Sequence, residues 1–366
     1  MCGLLRFHVT NLVGPHSPAR PHQATGHAKI VTIDLGPFMR DEGVVIGAAL
    51  TDDQLSTAAM IDASCKEHGF VQVINFGLSP ELQERAFEAA SELFVLPEAH
   101  KLGTFKPITP ETNTGYAPYG KENLNRSRPA DLKEAYNIRR PGLQLNDFAG
   151  TPPTFGPTAL KLWSVFERAA QRYALACAVA LGLEIDFFTR SLVRFDLCTL
   201  RMLHYPPCGV PTPEYGAPAE TPIRVGEHTD FGAFTFLLLG AGAEGLQMKP
   251  VVGGEVGGAA GGEAEGWLDV VPEPQPDGVV SALVNTGALL ARWTYDTWRA
   301  TAHRVIVPSA AAAMVHRYSI ACFIDPDAAA EVAVDPRFVK EGQALRYPRT
   351  TGLEYLMGKL RETQGV

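Results

Sequence analysis

The chain has 366 residues, enough for one large structural unit or two smaller ones. It is 46% hydrophobic and 20% charged, with 35 glycines and 28 prolines, a turn-rich globular balance that speaks against an all-helical protein. A formal net charge of −8 offers no standing attraction to nucleic acid or anionic membrane, so a small-molecule ligand is expected; no apolar run reaches the roughly 18 to 20 residues that span a bilayer.

The first 33 residues contain no Asp or Glu but carry Arg6, Arg20, Lys29 and four histidines, His8, His16, His22 and His27. That bias is compatible with an organelle transit peptide, although a disordered leader over residues 1–28 of a cytoplasmic protein is the preferred reading. The six cysteines (Cys2, Cys65, Cys177, Cys198, Cys208 and Cys322) are scattered without a CxxC pair, the pattern of a reducing compartment rather than of a disulfide framework or zinc finger.

An N-terminal region over residues 29–150 opens with a strand at Lys29 to Leu35, where Ile30, Val31 and Ile33 are β-branched. A helix is expected from about Thr51 to His68, with Asp52 or Asp53 as cap and Gly69 as stop. Phe70 to Ile74 reads as a short strand, and a second helix starts at Ser79 with Pro80 in its first turn. Lys106 to Asp147 is polar and reads as irregular. The main core, residues 151–349, begins with a long helix after Pro157, carrying Leu162, Val165, Phe166, Ala169, Tyr173 and Ala176 on one face and ending at Gly182.

From Leu197 onward the chain breaks into short β-type runs at 198–205, 234–239, 245–249, 267–271, 279–284, 303–307 and 316–324. Many short strands without intervening helices suggest a sandwich or jelly roll. Gly253 to Gly266 is too poor in large apolar groups to build a core and reads as a flexible insertion in a hairpin. In the segment 350–366, a last helix from Gly352 to Glu362 gathers Leu353, Leu356, Met357 and Leu360 on one side and is expected to pack on the outside of the barrel.

The chemistry concentrates in three places. In His228-Thr229-Asp230 the two outer residues, at i and i+2 of an extended chain, point to one face and can converge on one ion; His303 follows 73 residues after Asp230. Two imidazoles and a carboxylate form the facial set that suits iron(II) and leaves positions open for oxygen and a co-substrate. A second i, i+2 pair, Arg317 and Ser319, lies in an otherwise apolar strand; a guanidinium pointing into a barrel needs an anion, and a dicarboxylate supplies one. Tyr205 offers a phenolic donor to the same carboxylate. Phe231, Phe234, Phe236 and Phe323 are candidates to line an apolar substrate region, although aromatic residues in strands are more often plain core. His204 neighbours Tyr205 but should face the other way on a strand.

Together with His228-Thr229-Asp230 and Arg317-Tyr318-Ser319, the run from Val284-Asn285-Thr286-Gly287 through Arg292-Trp293-Thr294 to Ala302-His303-Arg304-Val305 resembles the isopenicillin N synthase-like family of iron(II)/2-oxoglutarate-dependent dioxygenases. Upstream, residues 69–77, Gly115-Tyr116 and Lys133-Glu134-Ala135-Tyr136 are similar to that family's N-terminal region. The resemblance implies a mainly β protein with flanking helices, built on a double-stranded β-helix (jelly roll) with a helical N-terminal region. It implies iron ligation by His228, Asp230 and His303, and capture of the distal carboxylate of 2-oxoglutarate by Arg317, Ser319 and Tyr205. It further implies oxidation of a small organic substrate, as hydroxylation or desaturation, with release of succinate and CO2, and leaves room for ascorbate as a further cofactor. A monomer that meets its substrate and O2 without nucleic acid or membrane is expected. Phe76 departs from the family, which usually has His there, and Ala288 stands where Asp is typical. Three other readings stay open at this point: an oxidase of the same fold that dispenses with 2-oxoglutarate, a non-catalytic ligand-binding member, and a zinc hydrolase, which would leave Arg317 and Ser319 without a purpose.

Overall fold

In the computed structural model the described residues are 26–40, 49–125, 128–143, 145–208, 222–250 and 266–364. The expected leader up to residue 25, most of the Gly-rich insertion and residues 209–221 lie outside them. The N-terminal elements are β1 (Gly26–Ala28), β2 (Thr32–Asp34), α1 (Gly36–Met39), α2 (Asp52–Glu67), β3 (Phe70–Ile74), α3 (Pro80–Phe94) and α4 (Glu98–Thr104). The strand expected at Lys29 to Leu35 is thus the shorter β2, and β1 precedes it as a separate edge strand. Thr51, not Asp52 or Asp53, caps α2: its hydroxyl accepts from the Gln54 amide while the Gln54 side chain accepts from the Thr51 amide. Ser79 caps α3 with Pro80 in the first turn, as read.

The segment 106–147 is more ordered than its polarity suggests, containing β4 (Gly115–Ala117) and β5 (Glu134–Arg139). All six residues of β5 are buried. Their polar side chains are tolerated because they bond to other segments, Glu134 to Lys101 and His204, Asn137 to Asn113 and Arg139 to Thr199, which composition alone does not reveal. Helix α5 (Phe155–Ala180) starts two residues before Pro157. Next come β6 (Thr199–Tyr205), β7 (Ile223–His228), β8 (Phe234–Leu239), β9 (Leu246–Met248), β10 (Leu268–Val270), β11 (Ser281–Thr286), α6 (Ala288–Trp293), β12 (His303–Ile306), α7 (Ala310–Ala313) and β13 (Arg317–Ile324). A small pair, β14 (Glu331–Val332) and β15 (Thr350–Thr351), leads into α8 (Gly352–Gln364).

The strands form an eight-stranded sheet, β2-β3-β11-β8-β13-β6-β5-β4, and a five-stranded sheet, β1-β10-β9-β12-β7. On one face of the large sheet, α1, α2, α3 and α5 seal a core in which Phe76, Phe166, Tyr173, Phe234 and Phe236 stack edge and face. Period-2 alternation turns the other face towards the small sheet, where Leu203, Tyr205, Val225, Leu246, Met248, Val305 and Ala321 form a second apolar cluster. Two facing sheets with helices on one side are the jelly roll that the family resemblance implied, one of the two architectures the strand pattern left open.

Candidate active site

Between the sheets lies a cavity of about 670 Å³ whose walls include His228, Asp230, His303, Arg317, Ser319 and Tyr205. Strands β7 and β12 pair antiparallel, so that His228 and His303 stand opposite each other, ring centroids 4.3 Å apart. Asp230 Oδ1 lies 3.8 Å from His228 Nε2 and 3.7 Å from His303 Nε2, and ligand atoms of all three fall within 4.8 Å of one another.

What remains free on each group is more informative than the distances. His228 Nδ1 donates to Gly226 O at 2.8 Å and His303 Nδ1 to Thr301 O at 3.0 Å, which leaves both Nε2 atoms as lone-pair acceptors aimed at one point. Asp230 Oδ2 accepts from Thr235 Oγ1 at 2.6 Å and Asn285 Nδ2 at 2.7 Å, leaving Oδ1 free on the same side. Burial, with His303 adding to it, pulls the His228 imidazole down to about 4 despite the opposing pull of Asp230. The ring is therefore neutral at physiological pH and ready to bind a metal. Burial opposes ionisation of Asp230 as well, but the two histidines when protonated, and the bonds from Asn285 and Thr235, outweigh it and hold its carboxyl below the usual carboxylate range. Two imidazole nitrogens and one carboxylate oxygen, without another hydrogen-bond partner among the described residues, form a donor set that fits a divalent iron.

Across the cavity, β13 and β6 place Arg317 opposite Tyr205. The Arg317 side chain is buried, its Nε donates to Glu244 O at 3.1 Å, and its guanidinium lies 4.7 Å over the Tyr205 ring. Its Nη1 has no partner among the described residues. Ser319, two residues on, shares the cavity face. A second buried guanidinium, Arg224, lies 6.0 Å from the same ring and donates to Ala312 O, reinforcing the positive potential at this end. Burial first, then Arg224, lowers the affinity of Arg317 for its proton, a destabilised cation that an anionic ligand would relieve.

The site corrects several expectations. Phe231 and Phe323 line the cavity, but Phe234 and Phe236 point into the helix-side core. Helix α8 does not simply lie outside: Leu356 and Leu360 reach the cavity wall. His204 faces away from it, as alternation required, bonding Glu134 and His316. Phe76 belongs to the helix-side core, stacked on Phe166, and Ala288 contributes only its amide, to Asp230 O at 2.7 Å. Thr235, Asn285 and Arg224 were missed. Asn285 lay within a motif already singled out, whereas Thr235 had no signal of its own.

Profiles of two families match the chain: the N-terminal region of non-haem dioxygenases, named for morphine synthesis, over residues 31–154, and the 2OG-Fe(II) oxygenase superfamily over residues 197–326. The 2-oxoglutarate-Fe(II) type oxidoreductase ppzD of Metarhizium rileyi is 30% identical over 319 residues, covering 81% of this chain and 83% of that protein. The chain belongs to the 2-oxoglutarate/Fe(II) oxygenases. A further relative of this oxygenase, the 2-oxoglutarate-Fe(II) type oxidoreductase hxnY of Emericella nidulans, is 28% identical over 352 residues, 91% of this chain and 90% of that one. Among solved structures, a full-length Neurospora crassa protein in complex with alpha-KG and thymine superposes with TM-score 0.73 at 26% identity, covering 93% of this chain and 100% of that one. The oxygenase is accordingly an iron(II)- and 2-oxoglutarate-dependent dioxygenase that oxidises a small organic substrate with release of succinate and CO2. Among the described residues no helix is long and apolar enough to cross a membrane.

Proposed function

We propose that His228, Asp230 and His303 are the iron ligands of this dioxygenase and that Arg317, Ser319 and Tyr205 anchor the distal carboxylate of its 2-oxoglutarate. The observation that carries this reading is complementarity within one cavity: three ligand atoms with no other hydrogen-bonding duty among the described residues share it with a buried guanidinium that has an unpaired N–H among those residues. When bound, iron(II) with 2-oxoglutarate and O2 supplies the oxidant that takes a hydrogen atom from the substrate.

The protein's own residues do the rest. The carbonyls of Gly226 and Thr301 hold each imidazole in the tautomer that presents Nε2. Thr235 and Asn285 lock the Asp230 carboxylate against rotation. Arg317, held over the Tyr205 ring, would fix the distal carboxylate of the co-substrate and so orient it in the cavity. Leu246, Phe231 and Leu356 limit water in the cavity. Succinate release and O2 uptake, each dependent on added iron(II) and 2-oxoglutarate, test the reading; uptake without 2-oxoglutarate consumption would favour the same-fold oxidase.

A further inference from the structure

The cavity wall beyond Tyr205 carries polar atoms that neither the iron site nor the co-substrate anchor uses. Strand β6 presents Arg201 on the same face as Tyr205, directly opposite Asn137 of β5 on one side and the small Ala321 of β13 on the other. Residues opposite each other in an antiparallel pair hold their Cβ atoms about 5 Å apart. Arg201 Nη2 is paired with Glu122, but its Nε has no partner among the described residues.

The amide of Asn137 is oriented by the chain of bonds behind it. Arg139 Nη1, which can only donate, bonds Thr199 Oγ1 at 3.2 Å. Asn113 Nδ2 donates to the same oxygen at 3.0 Å, and Asn137 Nδ2 donates to Asn113 Oδ1 at 2.9 Å. The chain ends with Asn137 Oδ1, buried and unpaired among the described residues. Two cavity-lining residues opposite each other in the sheet therefore each hold one buried polar atom without a partner among the described residues, an N–H donor and a carbonyl acceptor.

Sheet register places this pair beside the iron site. Thr235, the partner of Asp230, is opposite Phe323, which is opposite Thr199; the row Ala321, Arg201, Asn137 is the next cavity-facing row, and the row of Arg317 and Tyr205 lies two further along. The charges nearby are already matched. Glu122 accepts from both Arg201 and Lys133, Lys133 also bonds Asp131, and Arg139, which does not line the cavity, is bonded to Thr199 Oγ1 and Asp196 O. A carboxylate would meet no spare cation here, and a hydrocarbon would leave both polar atoms buried and unpaired.

We infer that Arg201 and Asn137 recognise the primary substrate and that it presents an uncharged C=O beside an N–H, as a lactam, cyclic imide or secondary amide does. Its carbonyl accepts from Arg201 Nε, and its N–H donates to Asn137 Oδ1. The inference rests on the reading of His228, Asp230, His303 and Arg317 given above.

Calorimetric titration of the anaerobic protein, with and without iron(II) and 2-oxoglutarate, tests it using three probes of similar size: glutarimide, cyclohexanecarboxylate and toluene. Glutarimide is expected to bind at least about tenfold more tightly than either other probe, and Asn137→Leu to weaken it about tenfold. Arg201→Lys retains a positive charge beside Glu122 but lacks the guanidinium Nε–H, and should cause a similar loss in a protein of unchanged melting temperature. Tighter binding of the carboxylate or of toluene, no binding of glutarimide by the wild type, or unaltered glutarimide binding in both folded variants would overturn the inference. Failure of 2-oxoglutarate to bind the wild type would instead count against the Arg317 reading, because the glutarimide titration without co-substrate still judges the subsite.

Discussion

Asp230 donates the one formal negative charge in the proposed iron site, and Thr235 and Asn285 are spent on orienting it. Asp230→Ala should therefore reduce substrate-dependent succinate release by more than about a hundredfold while far-UV circular dichroism stays unchanged. Normal release would refute the ligand role. At Arg317, lysine keeps a charge but loses the planar fork, so the apparent 2-oxoglutarate constant should rise in the order wild type, Arg317→Lys, Arg317→Ala, with at least about tenfold separating the ends. Equal saturation of all three would make the residue structural. Asp325 is a different case, since burial pushes its carboxyl up to about 7 despite the pull of Arg139. A folded-state value above the unfolded one favours the folded protein below about pH 4, and that advantage is lost as pH rises through 7. Asp325→Asn should accordingly stabilise the protein by about 1–2 kcal/mol at pH 8 and by almost nothing at pH 4, as read from urea unfolding at both values. Equal shifts at the two pH values would show that the carboxyl does not titrate in this range.

Elements carry these residues into place, and two junctions matter most. The turn from β11 into α6 passes so close to the chain after Asp230 that a Cβ on Gly287 would run into Gly232 O, while the amides of Gly287 and Ala288 bond Ala233 O and Asp230 O. Gly287→Val should thus displace the Asp230 turn and weaken metal binding about tenfold or more, measurable by competition with a chromophoric chelator; unchanged affinity would mean that the turn relaxes. Helix α8 presents Leu356 and Leu360 to the cavity. Replacing both with Ala should raise the substrate KM and the share of 2-oxoglutarate consumed without substrate oxidation, because water then enters more easily. The helix itself was legible from its spacing of leucines, but the surface it covers was not. An apolar stripe is the same whether it meets a packed core or the rim of a cavity.

At the scale of the molecule, the proposed ligands come from β7, the turn after it and β12, elements that are brought together only by folding, so metal and co-substrate held there should bind the native state alone. Saturation to about 100 times the dissociation constant adds roughly 2.7 kcal/mol, and a chelator should lower Tm by several degrees in an Asp230-dependent manner. A Tm insensitive to chelator would place the metal elsewhere. The amino-acid sequence alone marked His228, Asp230, His303 and Arg317 as the residues proposed for the iron and co-substrate sites, because an i, i+2 pair on a strand, a distant histidine and a charged residue in an apolar run occur together in the order of the family's motifs. Short β runs punctuated by Gly and Pro also pointed to a sandwich or jelly roll, and the family resemblance chose the jelly roll. Only the tertiary structure decided that Phe234 and Phe236 face the helices, that the polar segment around Asn137 is a buried strand, and that Arg201 and Asn137 meet across β6 and β5. Strand alternation states which residues share a face but not what lies opposite that face, and cross-strand register is set by contacts dozens of residues apart in the chain.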